Sequence, residues 1–257
     1  MALTARTILV TGASRGLGLE FVKQILKLPT APEVLIAACR DPATATKLQA
    51  IAQNSPSVKI IKLDVEKDED LETALQETRN AVGNRGLNLI INNAGIYLNK
   101  ADGGGIAKQT RERLQKHFDV NVSGPIILVQ KFLPLLQQAA AHDKSKTLSC
   151  SKAGVVFISS TMGSQTITFT HGAGTSLDYK CSKSAVTMAS ILLARELKDS
   201  GIYVAALHPG WVKTEMGGDG ADITSEQSIQ GCLSVISSVR EESSGKLLDY
   251  KGAILPY

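Results

Sequence analysis

Short β-branched apolar runs alternate along this chain with stretches of helical periodicity, and that alternation leaves few ways to fold. Strands are expected at Thr7–Thr11, Glu33–Cys39, Val58–Leu63, Leu87–Asn92, Gly154–Ser159, Tyr203–His208 and near Ala253. Helical patterns occupy Gly16–Leu28, Ala43–Gln53, Asp68–Val82, Leu114–Ala140, Ser176–Lys198 and Ser225–Val239. Such alternation implies a parallel sheet covered on both faces by helices, an α/β fold of three layers. With 257 residues, 43% of them hydrophobic, the chain fits one domain with a substantial core. Ala101–Gly105, His142–Lys152 and Met162–Ser176 are expected to be surface loops, rich in Gly, Ser, Thr and Lys.

Composition excludes several classes of function. The net charge is +4, and the densest basic cluster is Lys144, Lys146 and Lys152, a solvated loop rather than a nucleic-acid stripe. Cys39, Cys150, Cys181 and Cys232 form no C-x-x-C pair and are expected to be reduced thiols of a cytosolic protein. The four histidines lack ligand spacing, so no metal site is expected. The apolar run at Ile8-Leu9-Val10 is too short for a signal peptide or a membrane span. The expectation is a cytoplasmic protein with neither nucleic-acid nor membrane partners.

Thr11-Gly12-Ala13-Ser14-Arg15-Gly16-Leu17-Gly18 follows the first strand and opens the first helix. Glycines there permit a tight turn and close approach of backbone to a pyrophosphate, and the helix N-terminus offers N–H groups to it. The spacing is Gly-x-x-x-Gly-x-Gly, and its place after strand one favours nucleotide binding over mere packing. At the end of the second strand, where an acid for a ribose 2′-hydroxyl is expected, the chain has Arg40, followed by Asp41. Arg15 and Arg40 together suit a 2′-phosphate, which points to NADP(H). Asp41 either serves the ribose or caps the helix that follows.

Tyr179 and Lys183 stand one helical turn apart, on one face. A lysine so placed favours the phenolate, and a tyrosine tuned in this way can exchange a proton with a carbonyl or alcohol oxygen. Ser159 and Ser160 lie upstream, after the strand Val155–Ile158.

The glycine loop, Asn92-Asn93-Ala94-Gly95, Asn121, Ser160, Tyr179-x-x-x-Lys183 and Pro209-Gly210 appear in one order along nearly the whole chain. Together they resemble the short-chain dehydrogenase/reductase family, whose fold is the Rossmann-like doubly wound sheet. Within it, the run from His208 to Gly218, His-Pro-Gly-Trp-Val-Lys-Thr-Glu-Met-Gly-Gly, is similar to Sniffer-like carbonyl reductases and C-factor proteins. The resemblance implies that Gly12, Ser14, Arg15, Gly16, Leu17 and Gly18 hold the dinucleotide phosphates and ribose. It implies that Asp64 and Val65 flank the adenine and that Asn93, Ala94 and Gly95 line the cofactor. Pro209, Gly210, Val212 and Thr214 would enclose the nicotinamide. Tyr179 would be the proton donor, with Lys183 lowering its pKa and bonding the nicotinamide ribose. Ser160, rather than Ser159, would orient the substrate oxygen. The stretch around Gln165–Ser176 is longer than in many members and is expected to shape specificity.

Asn121 has a backbone argument of its own. In a helix its carbonyl would accept from the N–H of residue 125, but Pro125 has none and its ring crowds that carbonyl. A kinked helix with a freed carbonyl is expected there. The resemblance implies a water on that carbonyl, continuing a proton relay from Lys183. Trp211 either packs on substrate or cofactor or fills core or interface, Tyr97 and His171 either line the substrate mouth or are surface loop residues, and Cys181 is expected in the core.

The sequence therefore points to an NADP(H)-dependent oxidoreductase that reduces a ketone, aldehyde or quinone, with a small lid around residues 211–225. Alternatives are a non-catalytic NADP(H)-binding regulator and a cofactor-using epimerase or lyase. The family's usual dimer face, Leu114–Ala140 with Ser176–Lys198, implies a homodimer or homotetramer.

Overall fold

A computed structural model describes residues 3–98, 104–145, 147–171 and 175–257. In chain order the elements are β1 (Thr7–Thr11), α1 (Gly16–Ile25), β2 (Val34–Cys39), α2 (Thr46–Gln53), β3 (Val58–Lys62), α3 (Asp68–Val82), β4 (Leu89–Asn92) and α4 (Arg111–Phe118). They continue with α5 (Gly124–His142), β5 (Gly154–Ile158), α6 (Gln165–His171), α7 (Leu177–Leu197), β6 (Tyr203–His208), α8 (Ser225–Ser238), β7 (Leu247–Asp249) and β8 (Ile254–Leu255). Among the described residues the strands form one sheet in the order β3-β2-β1-β4-β5-β6-β7-β8. The chain winds outward from β1 to β3, returns to β4, and winds the other way. That reversal opens a crevice beyond the carboxyl ends of β1 and β4.

Alternate strand residues feed two cores. Ile8, Val10, Leu89, Ile91 and Val156 face one layer, with Phe21, Ile229 and Ile236. Leu9, Ile90, Val155 and Phe157 face the other, with Leu71, Leu128 and Phe132. Both faces of the sheet are dry, which is why its central strands read as continuous apolar runs.

Five expectations need correction. The single strand expected near Ala253 is a pair, in which β7 runs parallel to β6 and β8 returns antiparallel to β7. The Asp249 carboxylate accepts from the N–H groups of Lys251 and Ala253, so a side chain closes the turn. Strands of two or three residues carry no periodicity to read.

The helix expected over Leu114–Ala140 is broken. A π-helical turn, Asp119–Ser123, separates α4 from α5, and Gly124 N–H bonds to the Asp119 carbonyl. Pro125 removes one donor, and the hydrogen-bond register slips by a residue to accommodate the loss.

The expected loop Met162–Ser176 contains α6, where Ser164 Oγ accepts from Ile167 N–H at 3.1 Å. In the segment His142–Lys152, His142 still belongs to α5, and Lys152 is buried with its ammonium on the Ser145 carbonyl. The loop expected at Ala101–Gly105 lies mostly outside the described residues, as does Lys146 of the basic cluster. Cys181 is exposed on α7, not in the core. The other three cysteines are buried thiols.

Candidate active site

The crevice is built by lacing the end of β1 to the end of β4. Thr11 Oγ1 accepts from the N–H groups of Asn93 at 3.0 Å and Ala94 at 2.9 Å. Asn93 Nδ2 donates back to the Thr11 carbonyl at 2.9 Å. The Asn93 side chain therefore holds the glycine loop in place. Gly12 adopts a left-handed φ of 67°, and a Cβ there would stand 3.0 Å from Ala94 Cα. Only glycine meets both conditions.

Arg15 is the N-cap of α1, makes no side-chain cap bond, and is followed by a first turn without acidic residues. Its guanidinium is exposed and pairs with Glu215 at 3.1 Å. Ser14 is half-buried beside it, and Leu17 packs on the core. Arg40 is exposed at the end of β2. Asp41 does not cap α2, whose N-cap is Ala45 with no side-chain cap bond, but closes the turn that leads into it. Its carboxylate accepts from Ala43 N–H at 3.1 Å and Thr44 Oγ1 at 2.9 Å. Beyond β3, the Asp64 N–H is held by Asp70 at 3.0 Å, and Val65 is buried against Gly124.

Tyr179, Lys183 and Ser160 come together next to this crevice. Ser160 Oγ accepts from Met162 N–H at 3.1 Å, and the Ser160 hydroxyl acts to hold the Tyr179 phenol down. Ser159 points elsewhere, to Thr187 Oγ1 at 2.8 Å and the Lys183 carbonyl at 3.3 Å. Lys183 Nζ donates to the Ile158 carbonyl at 2.8 Å and stands 5.6 Å from the centroid of the Tyr179 ring. Burial lowers the Lys183 ammonium to about 8. Burial also pushes the Tyr179 phenol well above its ordinary value, Tyr97 adds to that shift, and the Ser160 hydrogen bond opposes it. Lys183, whose ammonium is turned to the Ile158 carbonyl, is not among the groups that shift the Tyr179 phenol in the chain alone, and burial dominates.

Asn121 sits in the π-turn, fully engaged. Its Oδ1 accepts from Ile96 N–H at 2.8 Å. Its Nδ2 donates to the Ile96 carbonyl and to Ser182 Oγ, both at 3.0 Å. Gly95 lies between, where a Cβ would be 3.2 Å from Asn121 Oδ1 and 3.6 Å from Lys183 Nζ. The π-turn, the loop after β4 and α7 thus meet at one amide.

The segment after β6 folds into a strapped loop. Ser228 Oγ donates to the Pro209 carbonyl at 2.6 Å, and Gly210 adopts a left-handed φ of 87°. Val212 bridges to Ile223, and Trp211 Nε1 donates to the Gly217 carbonyl at 2.9 Å. Thr214 Cγ2 hangs 3.9 Å from where a Cβ on Gly16 would be. The loop thus touches the glycine turn through Thr214 and Glu215. A cavity of about 340 Å³ opens beside it, lined by Thr161, His208, Trp211, Asp222 and Tyr250 among others. His208 Nδ1 is buried there without a partner among the described residues, and burial lowers the imidazole to about 4.

Tyr97 is stacked on Tyr179, whereas His171 is exposed on α6 and bonded to Thr170. A buried cluster of Arg113, His117 and Asp178 beside them carries no signal in the sequence, since its members lie on helices separated by the whole of α5 and β5. Glu215, next to Thr214, pairs with Arg15 without a signal of its own in the sequence.

A family model described as short chain dehydrogenase matches residues 6–223. The NADPH-bound carbonyl reductase from chicken fatty liver is 38% identical, with a TM-score of 0.93, over 99% of this chain and 100% of that one. Carbonyl reductase Sniffer of D. melanogaster is 32% identical, with a TM-score of 0.94, over 98% and 100%. The C-signal protein of Myxococcus xanthus is 31% identical over 66% of this chain and 93% of its own. Among the described residues, no group of His, Cys, Asp and Glu could hold a metal, and no helix is long and apolar enough to cross a membrane. By the match over residues 6–223 and the laced crevice at the sheet's switch point, the chain belongs to the short chain dehydrogenase family of oxidoreductases.

Proposed function

We propose that this protein uses NADP(H) to reduce a ketone, aldehyde or quinone to the alcohol, with Tyr179 as general acid. The observation that carries the reading is the convergence of Ser160, Tyr179 and Lys183 beside the crevice. A dinucleotide fits the crevice on the chain's own features. Gly12, Gly16 and Gly18 carry no side chain into the turn, α1 begins without an acidic residue, and Arg15 and Arg40 are exposed at its mouth. Two structural relatives support NADP(H): the chicken carbonyl reductase holds NADPH, and a carbonyl reductase from Pseudomonas aeruginosa, 25% identical, holds NADP.

In this reading Gly12, Ser14, Gly16, Leu17 and Gly18 take the phosphates, and Arg15 and Arg40 the 2′-phosphate. Asp64 and Val65 flank the adenine, and Asn93, Ala94 and Gly95 line the middle of the crevice. Pro209, Gly210, Val212 and Thr214 enclose the nicotinamide, the last two within a lid around residues 211–225. When bound, NADPH supplies the hydride that the carbonyl carbon accepts. Ser160 donates a hydrogen bond to the carbonyl oxygen, and Tyr179 gives that oxygen its proton. A phenol held up by burial stays protonated at neutral pH, which suits a proton donor in the reductive direction. Lys183, charged below about 8, stabilises the phenolate left behind, and Asn121 links the relay from Lys183 to solvent, from which the proton is replaced.

The test is loss of NADPH absorbance across a panel of aldehydes, ketones and quinones, run beside Tyr179→Phe. Carbonyl-dependent oxidation that falls roughly 10²–10⁴-fold in the variant is expected, the usual contribution of general acid–base catalysis. Undiminished turnover in Tyr179→Phe removes the tyrosine from the role.

A further inference from the structure

Tyr97 lies in the loop after β4, and its ring is stacked on that of Tyr179, with centroids 4.4 Å apart and planes inclined by 22°. Stacking of this kind fixes ring orientation as well as burying area. Tyr97 is itself held at both ends. Its hydroxyl hydrogen-bonds Ser176 Oγ, in the residue preceding α7. Its chain neighbour Leu98 is gripped by both backbone groups. Leu98 N–H donates to His117 Nε2 at 3.2 Å, and the Leu98 carbonyl accepts from Arg113 Nη2 at 3.2 Å.

Those two gripping side chains converge on one buried carboxylate. Arg113 Nε donates to Asp178 Oδ2, and His117 Nδ1 stands 3.7 Å from the same oxygen. Arg113, His117 and Asp178 are all buried. The other oxygen of Asp178 accepts from Tyr179 N–H at 2.8 Å. A single carboxylate therefore anchors the backbone of Tyr179 directly and the backbone beside Tyr97 through α4. A buried ion pair is a weak source of stability, and fixing one arrangement is its better-attested use.

We propose that Tyr97 is a positioning residue, clamped through Leu98 by Arg113, His117 and Asp178, and that its ring sets the orientation of the Tyr179 phenol for proton transfer. This rests on Tyr179 being the general acid. The stack needs an aromatic ring at residue 97 but not its hydroxyl, so Tyr97→Phe keeps the device and Tyr97→Leu removes it. Residue 97 is half-buried in a loop, outside both cores, so neither substitution touches the packing of the sheet.

The experiment measures kcat and KM for one carbonyl substrate, with the NADPH Kd by fluorescence titration, in wild type, Tyr97→Phe, Tyr97→Leu and Tyr179→Phe. The expected result is a kcat lowered roughly tenfold or more in Tyr97→Leu, since small misplacement of a reacting group costs rate rather than binding. KM and the NADPH Kd stay within about twofold, and Tyr97→Phe recovers most of kcat. Three results overturn the proposal while leaving Tyr179 in its role, provided Tyr179→Phe is inactive. They are an unchanged kcat in Tyr97→Leu, a raised KM with kcat unchanged, and a Tyr97→Phe as impaired as Tyr97→Leu. An active Tyr179→Phe removes the general acid itself, and the positioning role with it.

Discussion

Gly18 packs its α-carbon against the carbonyl of Gly12, so closely that a Cβ on Gly18 would overlap that oxygen and its carbon. Helix α1 can approach the end of β1 only because residue 18 lacks a side chain. Gly18→Ala must push the first turn of α1 away from the glycine loop. Overpacking of this sort costs about 1–3 kcal/mol. We expect a lower Tm and a large loss of NADPH affinity, read by thermal melting and fluorescence titration. Normal affinity in a folded variant would mean that the helix start plays no part in holding the phosphates.

Arg15 and Glu215 join the glycine loop to the strapped loop through an exposed ion pair. A 2′-phosphate held by Arg15 must compete with that carboxylate. Glu215→Gln should therefore tighten NADPH about twofold to fivefold, matching the up to ~1 kcal/mol an exposed pair is worth. NADH, which lacks the phosphate, should be unaffected. Equal gains for both cofactors in parallel titrations would place the effect elsewhere.

Lys183 gives a pH dependence of stability whose sign follows from its burial. The folded ammonium titrates at about 8, below the ordinary 10.5. Below about 8 both states are protonated, and the fold bears the full cost of a buried charge. Between about 8 and 10.5 the unfolded chain binds the extra proton, so stability rises with pH. Lys183→Met should be the more stable protein at pH 7, and its lead should shrink toward pH 10. Melting curves of both proteins at several pH values check this; a gap independent of pH contradicts it.

Asn121 satisfies both backbone groups of Ile96 as well as the Ser182 hydroxyl. Asn121→Ala strands those groups in a buried site, at a cost of about 1–3 kcal/mol. A fall in the urea midpoint with an unchanged m-value is the expected outcome. An unchanged midpoint would mean that water replaces the amide without penalty.

Much of this architecture was legible residue by residue. Asp68–Val82 is a helix with the bounds its periodicity suggests, and the apolar runs from Thr7 to His208 became the parallel strands. Pro125 foretold a disturbance at Asn121, since a missing donor is a property of the sequence alone. The failures are equally physical. Strands β7 and β8 are too short for any period, and the α6 segment, Gln165–His171, is too polar and brief to stand out from a loop. Cys181 is exposed because helical spacing orders side chains around an axis but does not say which arc faces the sheet.

The order of apolar runs and glycines thus determined the sheet, its layers and the place of the crevice, because local periodicity and backbone freedom act within a few residues. The surroundings of Tyr179 were decided only by the tertiary structure. Its stacking on Tyr97, the Asp178 anchor reaching Arg113 and the upward shift of its phenol join segments more than sixty residues apart. Desolvation sums over everything packed around a group, and that sum exists only once the chain has closed around it.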